Sequence, residues 1–165
     1  MLYLSENKIV HRDLAARNLL VTESATGPEK YIAKVTDFGL SKAVEITSYY
    51  KSDNTQMPIK WSAPESLQYG KFSTSSDVWS YGIILWEIFS YGKMPYDNIS
   101  NIKASEMIRK GETLERPFAC PDVFWAIMEK CWIRDPVQRI TFNEIVELTH
   151  QFYVQCVIQY NINNC

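Results

Sequence analysis

The sequence predicts a mainly α-helical fold that carries one small β-hairpin. Residues 81–89 form an apolar run whose side chains would surround a helix axis almost completely, as in a helix buried inside a core. Short apolar segments at residues 19–21 and 31–35 are separated by a polar loop and indicate the two strands of the hairpin. Other segments have the apolar periodicity of amphipathic helices. These segments lie at residues 101–110, 121–133 and 141–156.

The ends of three helices can be placed from single residues. We expect Ser75 or Ser76 to cap the buried helix, with Asp77 in its first turn, where an acidic side chain favours the helix dipole. Pro121 suits a first helical turn, and Gly111 suits a helix end.

Length and charge indicate one globular unit with no affinity for nucleic acid. The chain has 165 residues, of which 46% are apolar, enough for one sizeable core. We expect one domain over residues 1–156 and a C-terminal tail over residues 157–165. The net charge of −2 provides no basic stripe, so nucleic acid is not an expected partner.

The cysteines and the longest apolar run bear on compartment. Four cysteines lack the paired spacing of a zinc site and the density of a disulfide scaffold, which favours a reducing, intracellular compartment. The apolar run at 81–89 is far shorter than the roughly 20 residues of a membrane span, and Glu87 interrupts it. We therefore expect no membrane contact from this chain.

Two short polar motifs flank the hairpin and carry oxygen ligands. Residues 11–18 read His-Arg-Asp-Leu-Ala-Ala-Arg-Asn and precede the first strand, while residues 37–39 read Asp-Phe-Gly and follow the second. This order brings Asp13, Asn18 and Asp37 towards one end of the hairpin. Phosphoryl transfer needs such a cluster, because a carboxylate orients the attacking hydroxyl and hard oxygen ligands hold magnesium.

With these motifs, and Ala-Pro-Glu at residues 63–65, the chain resembles the protein kinases over about residues 1–154. The resemblance implies a kinase C-terminal lobe that uses ATP and Mg²⁺. It makes Asp13 the catalytic base, and Asn18 and Asp37 the magnesium ligands. Leu20 matches the position beneath the adenine ring.

The resemblance also implies supporting roles for residues around the motifs. His11 and Phe38, which Gly39 follows, match two members of the hydrophobic column that aligns active kinases. Asp77 matches an aspartate that accepts hydrogen bonds from the catalytic-loop backbone. A further pair matches a buried ion bridge beneath the substrate loop. This pair is Glu65 and Arg139.

Several residues resemble the tyrosine-specific branch of the family. The lysine that serine/threonine kinases usually place two residues after the catalytic aspartate is replaced by Ala15, and Arg17 stands where the tyrosine branch has a catalytic-loop arginine. The segment of Pro58, Lys60 and Trp61 resembles the platform that supports a phenolic side chain. The expected partners are therefore ATP and protein substrates bearing tyrosine.

A tandem pair of tyrosines falls in the expected activation loop. Tyr49 and Tyr50 are expected to be phosphorylated, since a phosphate there could pair with Arg12 and order the segment. Residues 37–43, this pair and residues 89–92 resemble the spleen tyrosine kinase family. Receptor tyrosine kinases share the motif at 11–18, so the sequence leaves open a cytoplasmic protein or the cytoplasmic part of a membrane receptor.

The chain departs from a whole kinase before its first motif. Only ten residues precede His11, and they contain no glycine-rich loop, no ATP-binding lysine and no partner glutamate. The resemblance therefore implies a partial kinase domain without its N-terminal lobe, and we expect the isolated chain to be inactive. Two hypotheses remain: an incomplete protein-tyrosine kinase, or a non-catalytic kinase lobe that serves as a binding module.

Overall fold

The computed structural model describes residues 1–24, 30–43, 50–51 and 57–163, with backbone only at 50–51 and 161–163. Helices dominate these residues, as the sequence predicts. The α-helices are α1 (Leu2–Glu6), α2 (Pro64–Tyr69), α3 (Thr74–Phe89), α4 (Asn101–Lys110), α5 (Asp122–Cys131) and α6 (Phe142–Asn163). Single 3₁₀ turns occur at Ala16–Asn18, Phe38–Leu40 and Ile59–Trp61.

Short strands pair in three antiparallel ribbons within the described residues. The strands are β1 (Ile9–Val10), β2 (Leu19–Glu23), β3 (Tyr31–Val35), β4 (Lys42–Ala43), β5 (Tyr50–Lys51) and β6 (Lys71–Phe72). Strands β2 and β3 form the predicted hairpin, in a register that places Leu19 opposite Val35. The other pairs are β1 with β4 and β5 with β6.

Helix α3 is the buried centre of the core, and its start differs from the prediction. The N-cap is Ser73, whose hydroxyl accepts from the Ser76 amide while the Ser76 hydroxyl accepts from the Ser73 amide. The predicted cap at Ser75 or Ser76 is wrong because Ser76 is instead the third helical residue of a reciprocal capping box. Asp77 does lie in the first turn.

Close packing of α3 against α5 depends on a glycine. A Cβ atom added at Gly82 would lie 2.8 Å from the Cys131 Cβ and 2.7 Å from the Trp132 Nε1. Because real Cβ atoms do not approach this closely, only glycine fits where the two helices meet. The core around this contact includes Trp79, Ile83 and other residues that are almost fully buried.

The remaining helices follow the predicted segments with different ends. Helix α4 ends at Gly111, whose φ of 88° is the left-handed conformation that suits glycine. Pro121 is the N-cap of α5 and lies just outside the helix. Helix α6 continues beyond residue 156, so the expected domain boundary falls inside a helix.

The described residues include three of the four cysteines. Cys120, Cys131 and Cys156 are free thiols. Within the described ranges, we find no helix with the length and apolar character that crossing a membrane requires.

Candidate active site

The loop at residues 11–18 is anchored to the start of α3 by a buried carboxylate. Asp77, 2% exposed, accepts hydrogen bonds from the His11 amide at 2.7 Å and the Arg12 amide at 3.1 Å. Burial raises the pKa of Asp77 to about 7, and the two backbone hydrogen bonds oppose that shift. Both oxygens of one side chain therefore hold the turn that leads to Asp13.

Asp13 is held between an arginine and an amide. The Arg17 guanidinium forms an ion pair with Asp13 Oδ1. The Asn18 carboxamide donates to Asp13 Oδ2 at 3.0 Å and to the Asp13 carbonyl at 2.7 Å. The predicted catalytic residues Asp13 and Arg17 are thus in direct contact, and Asp13 also contacts the predicted magnesium ligand Asn18.

Asp37 reaches the same end of the hairpin through its neighbour. The Thr36 amide and hydroxyl donate to the Asn18 carbonyl at 2.9 and 3.0 Å, so the residue before Asp37 is tied to Asn18. Asp37 has a left-handed φ of 59°, and its Oδ1 accepts from the Gly39 amide at 3.3 Å. Asp37 therefore directly follows a residue that is hydrogen-bonded to Asn18.

His11 and Phe38, which the resemblance matches to the hydrophobic column, are in contact with each other. Their rings lie edge to face with centroids 5.1 Å apart, and His11 is fully buried. The His11 Nε2 lies 2.9 Å from the Thr36 carbonyl, which gives the buried ring a polar partner. This contact joins the loop at 11–18 to the segment at 37–39.

Leu20 lies on the exposed face of the hairpin. The residue is 60% exposed. Its place beneath an adenine ring stays a prediction.

Behind the hairpin lies an apolar cavity of about 310 Å³. Its walls include Leu14, Val35, Tyr81 and Ile88.

Arg12 lies beside the expected activation loop. Its Nε donates to the Leu40 carbonyl, and its guanidinium lies 5.5 Å from the centroid of the Phe72 ring. Tyr49 falls outside the described residues, and Tyr50 is described only as backbone paired with Phe72. Phosphorylation of the tyrosine pair stays a prediction.

The predicted substrate platform is fixed by backbone and side-chain contacts. The Pro58 carbonyl accepts from the Trp61 amide at 3.0 Å, and the Lys60 Nζ donates to the Tyr96 carbonyl at 2.9 Å. The Ser80 hydroxyl of α3 donates to the Trp61 carbonyl at 2.8 Å. The platform is therefore anchored on α3, as the catalytic loop is.

Glu87 is a site residue that the sequence reasoning missed. Its Oε2 accepts from the Ala16 amide and from the Trp61 indole N–H, each at 3.0 Å. The available signal was a single carboxylate inside the apolar run at 81–89, which a buried helix tolerates only when the carboxylate has partners.

Glu65 and Arg139 form the expected ion pair. The Arg139 side chain is fully buried and makes two bonds to the Glu65 carboxylate, at 2.8 and 3.1 Å. The guanidinium also donates to the carbonyls of Ser75, Ile133 and Arg134. The pair links α2 to the chain between α5 and α6.

The donor chemistry of Asn18 and Asp37 fits a magnesium ion. One carboxylate and one carboxamide oxygen are hard ligands, and magnesium commonly takes few protein ligands together with phosphate and water. The side-chain NH₂ group of Asn18 donates to Asp13 and so leaves the side-chain oxygen Oδ1 for another partner. These two residues would hold the ion.

Comparison with known proteins decides the family. A family model described as protein tyrosine and serine/threonine kinase matches residues 1–149, which is most of the chain. The chain belongs to the protein tyrosine and serine/threonine kinase family. The mainly helical fold with a small hairpin is that of a kinase C-terminal lobe, as the resemblance implies.

Relatives of this kinase chain include growth factor receptors. It is 48% identical over 146 residues to the high affinity nerve growth factor receptor of Rattus norvegicus. The aligned region covers 88% of this chain and 18% of the receptor. It is 47% identical over 151 residues to the NT-3 growth factor receptor of Gallus gallus. Here the aligned region covers 91% of this chain and 18% of that receptor. The chain thus spans about a fifth of the length of these relatives.

Proposed function

We propose that this chain is the catalytic lobe of a protein-tyrosine kinase, which transfers the γ-phosphoryl group of ATP to a tyrosine hydroxyl. The contacts of Asp13 with Arg17 and Asn18 carry the proposal. They hold one carboxylate at the end of the hairpin, beside a platform that ends in Trp61. A carboxylate in this place can accept the proton of an attacking hydroxyl.

Each group has a defined part in the proposed reaction. Asp13 orients the phenol and takes its proton as the phenolic oxygen bonds to the γ-phosphorus of ATP. The bond between that phosphorus and the oxygen bridging to the β-phosphate breaks, and ADP leaves. Asn18 and Asp37 would hold the ion. Magnesium, when bound, neutralises charge on the phosphates. Arg17 keeps the Asp13 carboxylate in place, and the Trp61 platform supports the peptide that carries the tyrosine.

The proposal extends to compartment and partners. Free thiols at Cys120, Cys131 and Cys156 are compatible with a reducing cytoplasm. The relatives named as receptors leave both a soluble kinase and the cytoplasmic part of a receptor within the proposal. ATP and proteins bearing tyrosine are the proposed partners.

The test uses the native protein with every residue that its reading frame encodes. We expect it to phosphorylate a tyrosine peptide in the presence of Mg²⁺ and labelled ATP, and to leave a matched serine peptide unmodified. The Asp13→Asn variant should lower kcat by about 10² to 10⁴, the usual contribution of a general base.

The matched control is Asp97→Asn, because Asp97 is exposed and contacts only its neighbour Asn98 in the hydrogen bonds described. This control should keep the wild-type rate. A wild-type protein that transfers no phosphate, or an Asp13→Asn variant that is as active as wild type, would overturn the proposal in favour of a binding module.

A further inference from the structure

Glu87 is a buried carboxylate in the last turn of an otherwise apolar stretch of α3. It is 9% exposed, and its neighbours along the helix include the buried Ile84 and Leu85. Placing a charged group here costs free energy unless hydrogen bonds compensate for the lost water. Glu87 has two such bonds, and both reach its Oε2 atom.

The two donors belong to different parts of the proposed site. Ala16 opens the 3₁₀ turn that ends at Asn18 in the catalytic loop, and it donates its amide N–H at 3.0 Å. Trp61 closes the 3₁₀ turn of the substrate platform, and it donates its indole N–H at 3.0 Å. A single oxygen atom therefore joins the catalytic loop to the platform.

A second path of contacts leads from the same indole to Asp13. The Arg17 guanidinium lies 4.6 Å from the centroid of the Trp61 ring, a cation–π distance. Arg17 also forms the ion pair with Asp13. Because the bond from Glu87 fixes the rotation of the indole, it also fixes the surface on which Arg17 rests.

We propose that Glu87 is a positioning residue that sets the substrate platform in register with Asp13 by holding the Ala16 amide and the Trp61 indole at once. The inference rests on the proposed function, since it concerns how an acceptor hydroxyl on the platform is aligned with the base. Glu87 itself lies beneath both segments and acts through Trp61 and Arg17.

A purely structural role would give different kinetics. If Glu87 served only to stabilise the core, its loss would reduce the fraction of folded enzyme, and kcat would fall while the KM values for peptide and for ATP stayed unchanged. If Glu87 positions the platform, the peptide is affected selectively. The KM for the peptide should then rise as kcat falls, while the KM for ATP should not change.

The test compares Glu87→Gln, Trp61→Phe and the double variant in the native protein. Glutamine keeps the volume of the side chain but loses the charge that strengthens both hydrogen bonds. Phenylalanine keeps a ring beneath Arg17 but lacks the N–H donor. We expect each single variant to lower kcat/KM for the tyrosine peptide by about tenfold.

The double variant should lower kcat/KM by about as much as one single variant, because both changes act on the same hydrogen bond: glutamine weakens it and phenylalanine removes its donor. Glu129→Gln, at an exposed position of α5, is the matched control and should keep wild-type kinetics.

Each outcome decides a separate question. A wild-type protein that transfers no phosphate refutes the proposed function, and this inference with it. With an active wild type, single losses that multiply in the double variant, or variants that leave the peptide KM unchanged, refute the inference alone. If Glu87→Gln does not fold, Trp61→Phe still decides, because a wild-type peptide KM in that variant would also refute the inference.

Discussion

The two sides of the catalytic loop differ in how they are supported. On one side, the loop and the substrate platform are bonded to α3 by the buried side chains of Asp77, Ser80 and Glu87. On the other side, the β2–β3 hairpin is largely exposed: Leu20 on its outer face is 60% exposed, and Val21 on the opposite face is 68% exposed. We call these the anchored side and the hairpin side.

The difference teaches which part of the site this chain determines by itself. Hydrogen bonds to buried carboxylates fix the backbone around Asp13, because an unpaired partner in the interior would be costly. The outer face of the hairpin makes no comparable bond in the described residues, and an apolar cavity of about 310 Å³ lies behind it. The anchored side, where the protein substrate is proposed to bind, is thus held by more buried hydrogen bonds than the hairpin side, where the nucleotide is proposed to bind.

The largest expected effect on the anchored side comes from its buried ion pair. Arg139→Met should lower the free energy of unfolding of the full chain by about 3 to 5 kcal/mol, because it leaves the Glu65 carboxylate without its partner. Urea unfolding followed by circular dichroism measures this.

The control for this variant removes an exposed pair. The Lys103 Nζ and the Glu106 Oε2 lie 3.8 Å apart, and the two side chains are 60% and 55% exposed. Lys103→Met should therefore change the free energy of unfolding by less than about 0.5 kcal/mol. Equal losses in the two variants would contradict the expectation that burial makes the first pair matter.

A second prediction concerns the pH dependence that Asp77 gives the anchored side. Its pKa is about 7 in the folded protein and 3.8 in the unfolded chain, so between these values the folded state keeps a proton that the unfolded state loses. The contribution of Asp77 to stability should therefore fall as pH rises through this window and stay constant above it.

The measurement is the unfolding free energy of wild type minus that of Asp77→Asn, from about pH 4 to about pH 8. We expect this difference to fall by a few kcal/mol, as an order of magnitude, because asparagine does not titrate. A difference that rises with pH would mean that the hydrogen bonds from His11 and Arg12 outweigh burial.

Local features of the molecule could be predicted from the sequence because they depend on neighbouring residues. The hairpin, Gly111 at the end of α4 and the order of the motifs around Asp13 are of this kind. The cap of α3 was missed because Ser73, Ser75 and Ser76 all have cap chemistry, and only the reciprocal bonds between the first and the last identify the capping box. Sequence patterns do not rank such equivalent residues.

The role of Glu87 could not be predicted because its contacts are long-range. The bonds from Glu87 join it to residues that are 71 and 26 positions away, so no local periodicity indicates them. The end of α6 was missed for a local reason, since neither glycine nor proline follows residue 156 to stop the helix. Burial and contact therefore had to come from the three-dimensional structure.

The smallest expected effect lies on the hairpin side and tests the contrast directly. Leu20→Ala should change the unfolding free energy of the full chain by no more than about 0.5 kcal/mol, because little apolar surface is buried there. Leu14→Ala is the matched variant, since Leu14 is 1% exposed at the back of the same hairpin, and should cost about 2 to 5 kcal/mol. The midpoints of urea unfolding compare the two variants. Similar losses of unfolding free energy would show that the outer face of the hairpin is covered, which would remove the contrast between the two sides.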